Sequence, residues 1–369
     1  IVCAPSMLPF LFFLIIIVAG LDSDNNVTHH WVFRNDQTSH QWGYCHMSTV
    51  EKFPPSSSLV VAFQASKGTE GADEQAILLK VSNDSGKTWA PHSVAVKNGF
   101  KQAVWGPALH FNAASSEMVL FFSASVPENR RETGRSYPGG DIYVTRSTDL
   151  KSWSTPELLL RFADPIRGNI SKVTANKPAI SPDGRTWLLP FWQEGHTAQD
   201  TGPNCAGVLV SNDAGVTWKP SPACLASKEA GWLIENTLMY TDQGDVLQLF
   251  RTKAGKIWQS RNKGDGQEWT QPNATVLPNP DSKTFLTGQK GSLVLAYNPS
   301  SSARDPIALA TSTDSGHTWN KDFATLDSGG VKSFAYPTSL IFNGQIFTTY
   351  SASVSVGIEL AIVGAPASP

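Results

Sequence analysis

Ser82-Asn83-Asp84-Ser85-Gly86-Lys87-Thr88-Trp89 decides the fold, because the phrase recurs along the chain. Ser211-Asn212-Asp213-Ala214-Gly215-Val216-Thr217-Trp218 and Ser312-Thr313-Asp314-Ser315-Gly316-His317-Thr318-Trp319 repeat it. Ser147-Thr148-Asp149-Leu150-Lys151-Ser152-Trp153 is a shortened copy without the glycine, and Ser260 to Trp269 is a degenerate one that keeps Gly264, Gly266 and Trp269. The pattern carries its own mechanism. Asp and Ser close a turn through side-chain to backbone bonds, Gly supplies φ > 0, and Trp plugs the space beneath. Each copy therefore reads as a hairpin tip between two strands.

The five tryptophans stand 64, 65, 51 and 50 residues apart. A four-stranded propeller blade with its connections uses about that much chain. Five marked blades and one unmarked blade, the latter joining N-terminal strands to the final ones, predict an all-β, six-bladed propeller. Runs such as Ser58 to Gln64, Glu117 to Ala124 and Gln345 to Ser351 have the length of single strands, and no long stretch has helical periodicity. A β-sandwich does not explain the period. The 29 Gly, 24 Pro and 12 Trp, with only 16% charged residues, fit a turn-rich β protein.

Outside the repeats, Met7 to Gly20 is an apolar run too short for a comfortable membrane span, and residues 1–20 read as a secretory signal peptide. Residues 21–40 then form a linker, and 41–369 a single propeller domain. Secretion predicts no stable membrane insertion once the signal is removed. The formal charge of −2 gives no reason to expect nucleic acid as a partner. Asn26, Asn169 and Asn273 begin glycosylation acceptor triplets. Cys205 and Cys224 flank one repeat hairpin and are placed to bridge its base in an oxidising compartment, which would leave Cys45 a buried free thiol; an unbridged pair is the alternative. The eight His show no zinc-type spacing, His29-His30 falls in the linker, and P-loop and dinucleotide fingerprints are lacking, so no metal or cofactor is expected.

The boxes and their spacing resemble the sialidase superfamily of Asp-box, or BNR-repeat, propellers, over about residues 40 to 365. Further segments carry the likeness. Gly231-Trp232-Leu233-Ile234-Glu235-Asn236-Thr237-Leu238 resembles the strand start bearing the glutamate that activates a tyrosine nucleophile. The next strand ends at Arg251, in the place of a carboxylate-binding arginine, and Arg304, just before a box, resembles another. Phe334-Ala335-Tyr336-Pro337-Thr338-Ser339-Leu340 resembles the stretch with the nucleophilic tyrosine. The resemblance thus implies Tyr336 as nucleophile, Glu235 as its base, and Arg251 and Arg304 on the substrate carboxylate. A phenol is neutral until a neighbour takes its proton, so Tyr with Glu avoids repelling an anionic sugar. The arginine fork matches a carboxylate.

The chain also departs from the family. Where sialidases carry the R-I-P arginine, it reads Tyr44-Cys45-His46-Met47-Ser48, putting His46 at that place. The loop Lys67 to Glu74 offers Asp73 or Glu74 as the acid/base group. Trp105 and Lys177, at blade starts, are candidates for stacking on a sugar and meeting an anion; Asp281 and Lys283 occupy the analogous place in a later blade. The expectation is a secreted, monomeric, exo-acting sialidase-type glycoside hydrolase on a terminal acidic sugar. Its alternatives are a lyase on uronate-bearing glycans, with His46 as base, and a non-catalytic carbohydrate-binding propeller.

Overall fold

The repeated phrases close outer hairpins by the chemistry their residues dictate. In the first, Asp84 accepts from the Thr88 backbone N–H at 2.9 Å and from the Thr88 hydroxyl at 2.5 Å, while Ser82 Oγ accepts from Gly86 N–H at 2.8 Å. Trp89 Nε1 donates to the Gly86 carbonyl at 3.1 Å. The Asp213 and Asp314 copies reproduce the set. The threonine bonds hold the Asp84 and Asp213 carboxyls down at about 2, so these aspartates are spent on turns. In the degenerate copy Asn262 replaces serine as the acceptor for Gly264 and Gly266.

The computed structural model describes residues 26–35, 41–289, 291–329 and 333–366. The apolar segment 7–20 lies outside them. Among the described residues, six antiparallel blades form in chain order. Blade I comprises Tyr44–Phe53, Ser58–Ser66, Ala76–Ser82 and Ser93–Val96, and blade II Val104–Asn112, Glu117–Ala124, Asp141–Ser147 and Glu157–Leu160. Blade III has a broken inner strand, Ser171–Thr174 and Ala179–Ile180, followed by Trp187–Glu194, Cys205–Ser211 and Lys219–Pro220. Blade IV holds Ile234–Tyr240, Val246–Arg251, Lys256–Asn262 and Asn273–Pro278; blade V Phe285–Gln289, Ser292–Tyr297, Ile307–Ser312 and Asn320–Asp327. Blade VI joins Phe334–Phe342, Gln345–Ala352 and Gly357–Gly364 to Thr28–Arg34 as its outermost strand, with Thr28 opposite Ile362. Residues 28–34, His29 and His30 among them, are thus the strand that closes the ring rather than linker.

Alternation along each strand sends successive side chains into different inter-blade layers. In Ser58–Ser66, Leu59, Val61 and Phe63 pack with Ile358 and Leu360 of blade VI, while Val60 and Ala62 pack with Leu109 and Leu120 of blade II. Equivalent layers separate every adjacent pair. The five box tryptophans pack at the outer ends of these layers, half-buried. The Cys205–Cys224 bridge forms, with Cα atoms 5.3 Å apart, and Cys45 is a buried free thiol.

One irregularity repeats and positions the site. The inner strands of blades I, II, IV and VI each carry a bulge in which two residues face one on the next strand. The pairs Met47-Ser48, Gly106-Pro107, Glu235-Asn236 and Tyr336-Pro337 stand opposite Phe63, Phe122, Phe250 and Tyr350. The first residue of each pair is left-handed, with φ of 55°, 56°, 48° and 61°. A bulge re-aims side chains out of the pleat. Here it does so at Glu235 and Tyr336.

Candidate active site

Arg251 holds the centre of the site. Its Nη1 donates to Glu235 Oε2 at 2.9 Å and to Tyr336 Oη at 2.5 Å. Its Nε donates to Asp281 Oδ1 at 2.7 Å. Asp281 Oδ1 also accepts from Trp232 Nε1 at 3.0 Å, and its own carbonyl takes a bond from Arg304 Nη2 at 2.7 Å. Both arginines lie over the Tyr336 ring, at 5.8 and 5.4 Å from its centroid for Arg251 and Arg304. Glu235, Arg251 and Tyr336 are buried, while Arg304 is half-buried. Left-handed backbone at a Tyr or Glu costs about 1–3 kcal/mol each, and such strain concentrates at functional sites.

The electrostatics follow from burial among these charges. Burial works against the Arg251 charge, but Glu235, Tyr336 and Asp281 outweigh it and hold its pKa well above the ordinary value. Burial and the adjacent Glu235 raise the Tyr336 phenol, against the pull of Arg251 and Arg304. The phenol therefore keeps its proton at neutral pH. His46 packs its ring on Tyr336 at 4.0 Å between centroids, and its Nδ1 meets Ser351 Oγ at 2.7 Å. Burial, with Arg304, Lys283 and Arg251, pushes its pKa well below 6.5. His46 is a neutral wall of the site.

On the far side of His46 stands Tyr44, whose hydroxyl donates to Glu70 Oε1 at 2.8 Å. Gln64 Nε2 donates to the Tyr44 oxygen at 2.9 Å and to Glu70 at 3.3 Å. Glu70 is exposed as a residue, with its carboxyl end turned in against Tyr44 and Gln64. Burial and the Glu235 charge raise its pKa; Tyr44 and Arg131 oppose. Glu194, half-buried, is a second glutamate whose pKa burial and Glu235 raise.

A profile of the BNR repeat-like domain family matches residues 57–348. The chain belongs to that family. Its fold is that of the sialidase propellers. A Dyadobacter fermentans protein of unknown function superposes with a TM-score of 0.74 at 20% identity, covering 92% of this chain and 99% of that one. A Hadza microbial sialidase gives 0.74 at 18%, covering 91% and 68%. Trypanosoma rangeli sialidase, solved with sialic acid, gives 0.70 at 13%, covering 93% and 59%. No curated protein matches the sequence.

Within this BNR repeat-like protein the expected residues divide in two. Tyr336, Glu235, Arg251, Arg304 and His46 converge, with Glu235 and Tyr336 sharing the Arg251 Nη1 donor. Four others are engaged elsewhere. Asp73 pairs with Arg130 in a two-pronged, exposed contact at 2.9 Å, and Lys97 binds its carbonyl. Glu74 accepts from the Lys67 backbone at 3.3 Å. The loop acid next to the site is Glu70, which the sequence reading passed over. Trp105 is buried with Nε1 on Ser125 Oγ at 2.7 Å and its ring edge under Gly71, so it props the Glu70 loop and presents no face to a sugar. Lys177 is bound by Glu51 Oε2 at 2.8 Å and Val50 O at 2.9 Å, farther along the inner strand of blade I than His46. Asp281 orients the two arginines, and Lys283 is fully buried. One signal for Glu70 was present: it precedes Gly71, whose φ of 79° and contact with the Ser136 carbonyl leave no room for a side chain, so the backbone there is fixed.

Proposed function

We propose that the protein is an exo-acting retaining glycosidase of sialidase type, with Tyr336 as nucleophile, Glu235 as its base and Glu70 as the acid for the leaving group. The observation that carries this reading is the sharing of Arg251 Nη1 between the Tyr336 phenol and the Glu235 carboxylate. As the phenol oxygen attacks the anomeric carbon, its proton passes to Glu235, and Glu70 protonates the departing glycosidic oxygen. Glu70, now a carboxylate, takes a proton from water, which displaces the tyrosine from the anomeric carbon. Tyr336 recovers its proton from Glu235.

A terminal acidic sugar is the substrate class that the cations favour. Arg251 uses Nε and Nη1 internally, leaving Nη2 for an incoming oxygen, and Arg304 spends one bond on a backbone carbonyl. Two guanidinium edges suit a carboxylate. His46, being neutral, adds no third charge, so the clamp is weaker than one of three arginines. The same neutral ring against Tyr336 favours one second reading, β-elimination on a uronate with His46 as base. The Cys205–Cys224 bridge supports placing the protein in the secretory pathway or outside the cell.

The test is a release assay over sialosides and uronate-bearing glycans, comparing wild type with Tyr336→Phe. Hydrolysis predicts a free reducing acidic sugar from the wild type. Tyr336→Phe should release none while binding the same glycan nearly as well. An unsaturated uronate product would establish the lyase instead. Binding without turnover would leave a lectin-like propeller.

A further inference from the structure

We propose that Lys283 is a positioning residue for Tyr336: a buried side chain from blade V that locks the left-handed bulge of blade VI by binding the Pro337 carbonyl. The inference rests on the reading of Tyr336 as the reacting phenol. Because Tyr336 and Pro337 together face Tyr350, part of their backbone falls out of the sheet ladder. A carbonyl so freed inside the protein needs a donor. Lys283 Nζ supplies one at 2.6 Å and also donates to Thr338 Oγ1 at 3.1 Å. Thr338 Oγ1 in turn donates to the Ser48 carbonyl at 2.8 Å, beside the Met47 bulge of blade I. One lysine thus ties three blades at the level where Tyr336 turns into the site.

The same device serves the other bulges with neutral donors. Asn176 Nδ2 donates to the Glu235 and Asn236 carbonyls at 3.0 and 3.1 Å, and Thr174 Oγ1 to the Gly106 carbonyl at 2.9 Å. At Tyr336 alone of these four bulges the donor is a lysine, completely buried, with a carbonyl and a hydroxyl as its hydrogen-bond partners and its Nζ 5.7 Å from the Phe285 ring centroid. Burial has brought its pKa down to about 7, with Glu235 opposing from a distance. A buried amine is an expensive way to satisfy one carbonyl. What the lysine adds is reach across the gap between blades to a backbone on which the phenol's aim depends.

Lys283→Met in the full chain removes the donor and keeps the bulk. Expected is a fall in kcat of about 100-fold, the loss that a misplacement near 1 Å produces, with KM changed little. Amide exchange on peptides covering 334–340 should quicken by at least about tenfold, while peptides covering 234–240 stay protected. Lys283→Gln, a shorter neutral donor, should recover part of both. If the Met variant does not fold, Thr338→Val keeps the Pro337 bond but removes the second Lys283 contact and the link to Ser48, and should quicken exchange at the same peptides by a smaller factor. Wild-type exchange at 334–340 in the folded variant would overturn the proposal, as would loss of protection spread evenly over all blades. Should no glycan be turned over, the exchange result still decides the role of Lys283, and the nucleophile reading fails alone.

Discussion

Replacing Glu235 by Gln keeps the size of the side chain and removes the charge that Arg251 Nη1 binds at 2.9 Å. The side chains of the pair are 4% and 9% exposed, so the guanidinium would be left in the interior with half its compensation gone. Breaking a buried pair from one side costs about 3–5 kcal/mol. Asp281 still holds Arg251 Nε at 2.7 Å and is itself partly solvated, which puts the cost near the lower end, about 3 kcal/mol by the same measure. Unfolding entropy of about 2.1 cal/mol/K per residue over 369 residues gives roughly 0.8 kcal/mol/K, so the melting temperature should fall by about 4 °C. Scanning calorimetry reads this directly. Adding Arg251→Gln should then cost less than it does in the wild type, by about 0.5–3 kcal/mol of coupling. A Glu235→Gln protein that melts within about 1 °C of wild type would refute the claim that the two charges depend on each other.

Glu70 must be protonated to serve a leaving group, and its raised pKa extends the protonated form upward, so activity should fall as pH rises through that pKa. Glu70→Gln should erase this alkaline limb and slow release of alcohol leaving groups by about 10²–10⁴-fold while sparing activated aryl ones; Arg131→Gln, removing a charge that lowers the Glu70 pKa, should move the limb to higher pH. A limb that stays put in Glu70→Gln would assign it to another group. Replacing Cys205 and Cys224 together by Ser opens a loop of sequence separation 19, for which chain entropy predicts a loss of about 3 kcal/mol; an unchanged denaturation midpoint would show that the bridge constrains little.

The turns were legible because their chemistry is local. Asp, Ser, Gly and Trp within eight residues make the hairpin whatever lies around it. The same local chemistry also serves elsewhere, at Ser181-Pro182-Asp183-Gly184-Arg185-Thr186-Trp187. This phrase has the box chemistry, with Trp187 Nε1 on the Gly184 carbonyl at 2.9 Å, but closes the inner hairpin of blade III. Only its partners across the sheet tell it apart. Tyr336, Glu235 and the arginines were reachable through family resemblance. The bulges that aim them were hidden, because hydrophobic alternation reads straight through two residues set against one. Long-range capture also went unseen. Lys177 is taken by Glu51, Asp73 by Arg130, and Glu70 is drawn to the site by Tyr44 and Gln64, and none of these pairings has a signature in sequence spacing.

The strand Thr28–Arg34 has a consequence for how the molecule comes into being. It leaves the ribosome first of all the described strands, yet its partner, Gly357–Gly364, is the last of them. Five blades are assembled from neighbours in sequence and can form as they emerge. The sixth waits for the first and last described strands to find each other, with Phe33 and Val32 unshielded until Leu360 and Ile358 arrive. Ring closure is therefore the step at which a nascent chain of this kind is most open to a chaperone, or to pairing with the wrong edge of another copy.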